Sequence, residues 1–297
     1  MIMDACGFPD SEIRFLATGA TSEVWAVHAA GQHFALRIAI PNPWEPCYYE
    51  AEFAVRELLH RVDGRVARPI STNRDVDAGV DVEWCLDEFI DGASGRGREL
   101  PEAACRDLGE LLARLHRLPV EGFGLLQNRR DKLAGSADNA RAGVLQRLAE
   151  PWPIAGKPLE QHPLAAERPD LVPLLAPLEP GLLALVADDR PAAVAHSDLH
   201  DGQILLVGDR LRALLDFGDA VAGPVCWDLA SFGYFHGWDR TLWVLEAYTR
   251  DPVERERLLH EARLFAVVLA LHHASRSVTL GQPQRMQGAV RYVSENL

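Results

Sequence analysis

Residues 196–218, with the sequence HSDLHDGQILLVGDRLRALLDFG, constrain the fold of the chain more than any other segment. Two apolar runs, Ile204–Val207 and Leu211–Leu215, flank a Gly-Asp pair, and this pattern predicts a β-hairpin. Antiparallel pairing brings the start of the first strand close to the end of the second. Gln203 and Asp216 are therefore expected to lie opposite each other or about two positions apart.

The polar residues at the open end of this hairpin form a chemical pattern. Asp198 is expected on the loop that enters the hairpin, close to Gln203 and Asp216. An amide oxygen and a carboxylate are hard-oxygen ligands, which suit Mg²⁺ carrying phosphates better than they suit zinc. A separate carboxylate can orient a hydroxyl and accept its proton, so the set has the parts of a phosphoryl-transfer site. Taken singly, each residue would fit an ordinary hairpin with solvated charges.

The composition excludes some classes of partner. The chain has 297 residues and a formal net charge of -13, which argues against binding to nucleic acid or to an anionic membrane. Its only lysines, Lys132 and Lys157, stand outside any GxxxxGK(S/T) loop, so a P-loop ATPase is excluded. The oligomeric state is not indicated by the sequence.

The expected compartment is the cytoplasm. The five scattered cysteines include no CxxC pair and are expected to be reduced thiols. The amino-terminal sequence MIMDACGFPD has neither a basic region nor a long apolar core, so it does not have the pattern of a signal peptide. The apolar run Leu264–Leu271, the longest candidate for a membrane span, is too short to cross a bilayer.

A glycine-containing turn near the amino terminus is a candidate phosphate site. Residues 14–40 have the pattern of strand, turn and strand, with Gly19, Thr21 and Ser22 in the first turn. Backbone N–H groups of such a turn can bind a phosphate. A plain edge hairpin explains the same pattern equally well.

Arg37 is a lone cation in an otherwise apolar predicted strand, and a buried cation needs an anionic partner. The segment Cys47–Val62 is predicted to be a helix because its apolar residues recur at helical spacing. Glu52 lies on the apolar side of this helix and is the preferred partner of Arg37, whereas Glu50 is rotated away. For both glutamates the alternative is a solvated helix face.

Two lobes are predicted. The segments Val66–Ile70 and Val82–Ile90 are expected to be further strands of the amino-terminal sheet. The segment Gly92–Gly97, rich in glycine and serine, follows them and predicts a boundary. We therefore expect an N-lobe of residues 1–92, with a β-sheet and one helix, and a C-lobe of residues 93–297.

The C-lobe is expected to be mostly helical, including its carboxyl-terminal part. A helix is predicted from Pro101, and His116 at its end fits a capping or core histidine better than a ligand. Residues 128–191 are rich in proline and predict short helices broken by loops, which either wall a substrate pocket or are purely structural. Asp228 is expected to cap a helix N-terminus and to tie residues 196–218 to that helix.

These motifs resemble those of the aminoglycoside phosphotransferase and choline kinase family, relatives of protein kinases that phosphorylate small molecules. The resemblance covers most of the chain and is carried by GELLARLH at 109–116, HSDLHDGQILL at 196–206, LLDFGDA at 214–220 and GPVCWDLA at 223–230. It implies an α+β, bilobal protein-kinase-like fold with a small β-rich N-lobe and a larger, mostly helical C-lobe. It also implies ATP or GTP as co-substrate, Mg²⁺ as cofactor and a small-molecule hydroxyl as acceptor.

The resemblance assigns roles to individual residues. Asp198 matches the catalytic base of the family, and Gln203 and Asp216 match its magnesium ligands. Arg37 matches the cation that binds the nucleotide phosphates, and Glu52 matches the partner of that cation.

Further residues are expected to bind the nucleotide or to support the site. The adenine would lie against the inter-lobe linker near Glu88 and Ile90, and the turn with Gly19, Thr21 and Ser22 would cover the phosphates. The expected supporting residues are His196, His200 and Asp228.

Three positions depart from the family pattern. Ser197 stands where glycine is usual. Gln203 replaces asparagine, which keeps the oxygen ligand but places it one methylene further out. Arg37 replaces the lysine of many kinases with a broader, forked cation.

Two alternatives remain open at this point. His196, Asp198 and His200, at alternate positions, would share one strand face and form a metal-hydrolase site. That reading leaves Gln203 and Asp216 without a role. The other alternative is a nucleotide-binding module that kept the fold and lost turnover.

The acceptor is the least determined feature. An aminoglycoside or related cationic antibiotic is the leading expectation, because acidic residues follow the DFG sequence and would attract a polyamine sugar if they line the pocket. An ordinary solvated acidic surface is the alternative. Other acceptors in the family include choline, homoserine, macrolides, ketosamines and sugars. The acidic residues are Asp219, Asp239, Glu246 and Asp251.

Overall fold

The structure is a computed structural model and describes four ranges of the chain, 1–19, 21–40, 47–187 and 190–297. Five strands of the amino-terminal part form one antiparallel sheet: Glu12–Thr18 (β1), Ser22–Ala29 (β2), Gln32–Ala39 (β3), Pro69–Thr72 (β4) and Trp84–Glu88 (β5). They lie in the order β1-β2-β3-β5-β4. Two helices accompany the sheet, Ile2–Ala5 (α1) and Tyr49–His60 (α2).

The amino-terminal sheet has its own small core. Phe34 and Leu36 of β3 pack with Trp84 of β5, and all three are buried. Ala30 and Gly31 join β2 to β3 with positive φ angles of 50° and 72°. A two-residue turn with both φ angles positive matches the twist of the flanking strands, so β2 and β3 pair along their whole length.

The predicted bounds of three elements in this part are wrong, and the strand predicted as Val82–Ile90 spans only Trp84–Glu88. Helix α2 is shorter than the predicted Cys47–Val62. The strand predicted from Val66 begins only at Pro69, because Val66 forms a parallel bridge with Leu214 in the carboxyl-terminal half of the chain. The backbone N–H of Leu214 also donates to the carbonyl of Arg65 at 2.9 Å, so this segment connects the two parts of the molecule.

The carboxyl-terminal part contains two small sheets and most of the helices. Its strands are Ala93–Ser94 (β6), Phe123–Leu126 (β7), Gly135–Ala137 (β8), Ala193–Ala195 (β9), Ile204–Val207 (β10), Arg210–Leu214 (β11) and Val221–Gly223 (β12). Its helices are Glu102–Leu115 (α3), Ala140–Arg147 (α4), Pro163–Glu167 (α5), Val172–Leu175 (α6), Glu179–Ala184 (α7), Cys226–His236 (α8), Trp238–Tyr248 (α9), Pro252–Leu280 (α10) and Pro283–Asn296 (α11).

The predicted hairpin is present as β10 and β11, with Ile204 paired to Leu214. Strand β6 adds to it, giving the order β11-β10-β6. This strand lies inside the segment predicted as the lobe boundary, where Ala93 and Ser94 pair with β10. The division of the chain at residue 92 stays a prediction. The other sheet has the order β8-β7-β12-β9.

The largest apolar core lies among the carboxyl-terminal helices. Trp227 of α8 packs on Phe265 of α10 with ring centroids 4.8 Å apart, and Leu108 of α3 is buried in the same core. The pair His272-His273 lies within α10, which continues to Leu280. Within the described ranges, no helix combines the length and hydrophobicity needed to cross a membrane.

Several buried histidines predict acid sensitivity, and His162 is the clearest. Its Nδ1 accepts from the N–H of Leu164 at 3.2 Å, and its Nε2 lies 3.0 Å from the Ser275 hydroxyl. Burial lowers the pKa of His162 from 6.5 to about 4. Between pH 6.5 and about 4, His162 is therefore protonated in the unfolded chain but neutral in the folded chain.

We expect the free energy of unfolding to fall by about 1.4 kcal/mol per pH unit for this histidine as the pH drops from 6.5 towards 4. Urea unfolding at pH 7.5 and 5.0 measures the difference. The His162→Gln variant should show a smaller pH difference than the wild type, whereas His33→Gln, at an exposed position, should not. Equal pH differences for wild type and His162→Gln would contradict this assignment.

Candidate active site

The loop that carries Asp198 is fixed from below by a buried histidine. His196 is fully buried, and its Nε2 lies 2.8 Å from the carbonyl of Leu215. Because that carbonyl only accepts, Nε2 carries the proton, and Nδ1 accepts from the N–H of Asp198 at 3.3 Å. His196 thus joins the backbone of the loop that carries Asp198 to the end of β11.

Asp228 anchors the same loop from α8. Its two carboxylate oxygens accept from the backbone N–H groups of His196, at 2.9 Å, and Ser197, at 2.8 Å. A third contact comes from His116 Nε2 at 3.0 Å. Burial works against the charge of Asp228, but these donors favour it, so the pKa of the carboxyl lies below its usual value.

The predicted capping role of Asp228 is therefore corrected. Asp228 lies in the first turn of α8. The N–H groups that it binds belong to His196 and Ser197, in the loop that carries Asp198, and not to its own helix. The predicted tie between α8 and the catalytic stretch is present through these bonds. His116, expected as a capping or core residue, ends α3 and is buried between Asp228 and Tyr248.

Two residues beside the site have left-handed backbones that L-residues rarely adopt. Ser197 has φ 69° and Asp216 has φ 61°. Such conformations cost about 1–3 kcal/mol and persist where the surroundings impose them. The Ser197 hydroxyl donates to the carbonyl of Asp219 at 2.7 Å, which offsets part of the cost. A glycine would adopt the backbone of Ser197 without this cost.

The hairpin brings the predicted metal ligands together. The Gln203 side-chain amide nitrogen lies 3.1 Å from Asp216 Oδ2, and the Gln203 backbone carbonyl accepts from Leu215 N–H at 2.8 Å. His200 Nε2 lies 3.3 Å from the same amide nitrogen and 3.7 Å from Asp198 Oδ2. The four side chains therefore form a continuous series of contacts from Asp198 to Asp216.

The Gln203 amide fits a metal site after a half-turn of its terminal torsion. His200 Nδ1 accepts from the N–H of Gly202 at 2.9 Å, so its Nε2 carries the proton and faces an amide nitrogen, which is also a donor. The half-turn places the amide oxygen there instead. In that orientation the oxygen would accept from His200 and, with the carboxylate of Asp216, would form a hard-oxygen pair suited to Mg²⁺.

Arg37 lies in a buried network of two cations and two anions. Its Nη2 lies 2.9 Å from Glu52 Oε2 and 3.1 Å from Asp87 Oδ2. Arg56 pairs with the other oxygen of Asp87 at 2.7 Å. Burial opposes the charge of Arg37, but the neighbouring carboxylates favour it, so the pKa of the guanidinium is raised well above its usual value. The Glu52 pKa is lowered because Arg37 and Arg56 outweigh its burial.

The preference for Glu52 over Glu50 as the partner of Arg37 agrees with these contacts. Glu50 pairs instead with Arg130, at 2.6 Å, and accepts from the Thr72 hydroxyl at 2.5 Å. Sequence reasoning missed Asp87 and Arg56. Arg56 follows Glu52 by four positions on one helix, a spacing that would have suggested the pair.

Glu52 also connects α2 to the loop that carries Asp216, the predicted metal ligand. Its Oε1 accepts from the backbone N–H of Phe217 at 3.2 Å, while its Oε2 pairs with Arg37. Phe217 directly follows Asp216. One carboxylate thus holds the predicted phosphate-binding cation and the predicted metal ligand in a fixed relation.

The predicted nucleotide turn and linker are present as backbone features. Gly19 N–H donates to the carbonyl of Ser22, and the carbonyl of Thr21 accepts from Ile40 N–H, both at 2.8 Å. The Ala20 position between them lies outside the described residues. Glu88 ends β5, and its N–H donates to the carbonyl of Arg68; Ile90 follows two residues later. The nucleotide-binding roles of these residues stay predictions.

The metal-hydrolase alternative is not supported by the geometry. It needs His196, Asp198 and His200 on one ion, but both ring nitrogens of His196 are already bound, to Leu215 and Asp198. Among the residues that the structure describes, no group of three His, Cys, Asp or Glu side chains is arranged to hold a metal ion.

Three of the four acidic residues after the DFG sequence are engaged elsewhere. Asp219 pairs with Arg147 at 2.8 Å, and Glu246 pairs with Arg106 at 2.7 Å on the outside of α9. Asp251 caps the N-terminus of α10 by accepting from Val253 N–H. Asp239, the fourth, is exposed at the start of α9. The carboxylate nearest the site is thus neutralised by an arginine.

Solved structures similar to this chain share its fold over nearly its full length. The ternary complex of a thermostable mutant of aminoglycoside phosphotransferase APH(4)-Ia with ADP and hygromycin B has a TM-score of 0.68, with 15% identity over 99% of this chain and 96% of that chain. The GDP and kanamycin complex of APH(2")-IIia has a TM-score of 0.64, with 14% identity over 100% and 96%. Macrolide 2'-phosphotransferase MphH from Brachybacterium faecium has a TM-score of 0.57, with 19% identity over 98% and 96%. The predicted α+β, protein-kinase-like fold is confirmed.

A curated relative matches over part of the chain. Homoserine kinase from Allorhizobium ampelinum is 32% identical over 149 residues, which is 49% of this chain. The match spans only 39% of that protein's length.

The family comparison covers most of the chain. The model of the phosphotransferase enzyme family (APH) matches residues 12–271, a range that contains every residue of the site described above. The chain therefore belongs to the phosphotransferase enzyme family.

Proposed function

We propose that this chain transfers the γ-phosphoryl group of ATP or GTP directly to a hydroxyl of a small molecule, with Asp198 as the catalytic base. The observation that carries the proposal is the series of contacts from Asp198 through His200 and Gln203 to Asp216, which Glu52 links to Arg37. The ADP and GDP complexes of the similar structures support a nucleoside triphosphate as co-substrate.

In the proposed in-line transfer of the γ-phosphoryl group, Asp198 and Arg37 have separate roles. Asp198 orients the acceptor hydroxyl and takes its proton as the oxygen forms a bond to the γ-phosphorus. The bond from that phosphorus to the bridging oxygen breaks, and the nucleoside diphosphate leaves with the electron pair. Arg37 binds the phosphate oxygens with a guanidinium that stays charged because Glu52 and Asp87 surround it.

Gln203 and Asp216 would hold Mg²⁺, which supplies positive charge to the phosphate oxygens when bound. His196 and Asp228 do not touch the reacting atoms. They hold the backbone of the loop, and so the position of Asp198, against α8 and the end of β11. The requirement for a nucleoside triphosphate and the reduced cysteines fit the expected cytoplasmic location.

The acceptor predicted first from the sequence, an aminoglycoside or related cationic antibiotic, depended on acidic residues that line the pocket. The structure favours another choice, because the nearest of them, Asp219, already pairs with Arg147. A metabolite without several positive charges is therefore the better candidate. The partial match to a homoserine kinase is compatible with such an acceptor.

An acceptor screen tests the proposed function. Purified protein with Mg²⁺ and either ATP or GTP is incubated with hydroxylated antibiotics, sugars, choline and hydroxy acids, and release of the nucleoside diphosphate is measured. We expect release that depends on one acceptor class. Tight nucleotide binding without release for any compound would instead favour the module that lost turnover.

A further inference from the structure

A strip of side chains leads away from the catalytic aspartate along α8, α10 and α11. The ring of His200, next to Asp198, lies 6.0 Å from the ring of Phe235, and Phe235 lies 5.7 Å from His273. His273 Nδ1 lies 3.0 Å from Arg285 Nη1. The contacts thus run from the site to a guanidinium on the carboxyl-terminal helix.

The same strip returns to the other side of the aspartate through α4. The N–H of Ala149, just after α4, donates to His272 Nδ1 at 2.8 Å, which holds the end of α4 against α10. Arg147, in the last turn of α4, pairs with Asp219 at 2.8 Å. The backbone carbonyl of Asp219 accepts from the hydroxyl of Ser197, the residue before Asp198.

These contacts connect the Asp198 loop to a cluster of four side chains, Phe235, His273, Arg285 and Arg147, which we call the acceptor wall. Phe235 is 40% exposed although it is a large apolar side chain, so its aromatic ring is available to contact a bound acceptor. His273 is neutral, since burial, followed by the charges of Arg285 and Arg147, lowers its pKa to about 4.

The charge of the wall is opposite to the charge of the whole chain. The chain carries a formal net charge of -13, yet the wall has two arginines against one neighbouring carboxylate. Arg285 contacts only neutral acceptors, Gln282 Oε1 at 2.6 Å and His273 Nδ1, and no carboxylate pairs with it among the residues that the structure describes. The buried Nε of Arg147 has no hydrogen-bond partner within the described part of the chain.

We propose that the acceptor is a hydroxylated anion whose carboxylate or phosphate binds Arg285, with Arg147 beside it. The inference rests on the proposed function, because Asp198 marks where the reacting hydroxyl must lie. A guanidinium without an ionic partner binds either oxyanion through paired N–H donors. A polycationic acceptor would instead bring its ammonium groups against two arginines. Phe235 would contact the apolar part of the acceptor.

The test compares four acceptor arms and three variants. The arms are hydroxy acids such as homoserine, sugar phosphates, neutral sugars, and aminoglycosides such as kanamycin. We expect acceptor-dependent diphosphate release in a hydroxy-acid or sugar-phosphate arm, and the active arm identifies the oxyanion. The Arg285→Gln variant should raise the acceptor KM by about 10- to 100-fold, the effect of losing a hydrogen bond to a charged group, with the nucleotide KM unchanged.

Two variants separate anion binding from loss of structure. Arg285→Lys keeps the charge and should recover part of the acceptor affinity. Arg291→Gln, at an exposed position on the same helix, should match the wild type. Higher kcat/KM for aminoglycosides or neutral sugars than for both anionic arms would overturn the anion inference and leave phosphoryl transfer intact, as would an unchanged acceptor KM in Arg285→Gln. Absence of release in every arm would overturn both.

Discussion

Replacement of Asp198 by asparagine is expected to lower turnover by about 10²–10⁴-fold, the usual contribution of a positioned general base. Asparagine keeps the size of the side chain but cannot take the hydroxyl proton. Nucleotide affinity should stay near the wild-type value, because Asp198 is a separate group from Arg37, Gln203 and Asp216. Its side chain is 31% exposed, so the fold does not depend on it. Steady-state kinetics and nucleotide titration measure the two effects.

Asp201 offers a matched control for this experiment. It lies three residues after Asp198, and its carboxylate accepts from the backbone N–H of Gly97 at 2.7 Å. Asp201→Asn should therefore change turnover far less than Asp198→Asn. Wild-type turnover in Asp198→Asn would show that another group accepts the proton.

The Asp87→Ala variant is expected to lose about 3–5 kcal/mol of unfolding free energy, the effect of removing one partner from a buried ion pair. Asp87 is 3% exposed and binds two arginines, Arg37 and Arg56. Its removal leaves two cations to share the single carboxylate of Glu52. We also expect weaker nucleotide binding, because Arg37 loses one of the groups that fix its position. Urea unfolding and nucleotide titration measure the two losses.

An exposed ion pair at the end of α2, the helix that carries Arg56, provides the control. Glu57 and Arg61 are 48% and 64% exposed and lie 2.9 Å apart. Exposed pairs contribute at most about 1 kcal/mol, so Glu57→Ala should change stability very little. If Asp87→Ala cost no more than Glu57→Ala, the buried network would not stabilise the amino-terminal part as described.

Local sequence patterns predicted the elements on which the site is built. The hairpin followed from a Gly-Asp turn between two apolar runs, and its pairing brought Gln203 to Asp216 as expected. The partner of Arg37 followed from helical spacing, which placed Glu52 and not Glu50 on the side of Arg37. Both inferences rest on the residue periodicity of one short segment, the hairpin or the helix.

Contacts between distant segments were not predictable in the same way. Asp87 lies in a strand that pairs with the strand of Arg37, but only the strand order and register place the two side chains together. The direction of Asp228 depends on how α8 packs under the loop. The acceptor wall joins α4 to α8, α10 and α11, whose residues are up to about 140 positions apart, and no local pattern contains that information.

Binding of a non-hydrolysable ATP analogue with and without Mg²⁺, by wild type and by Asp216→Asn, tests the central claim most directly. Asparagine tolerates the left-handed backbone at position 216 and removes the charge. In the wild type, Mg²⁺ should raise nucleotide affinity by on the order of tenfold or more, because a metal held by Asp216 and Gln203 would neutralise phosphate charge. The Asp216→Asn variant should lose most of that increase. An equal increase in both proteins would contradict the metal site.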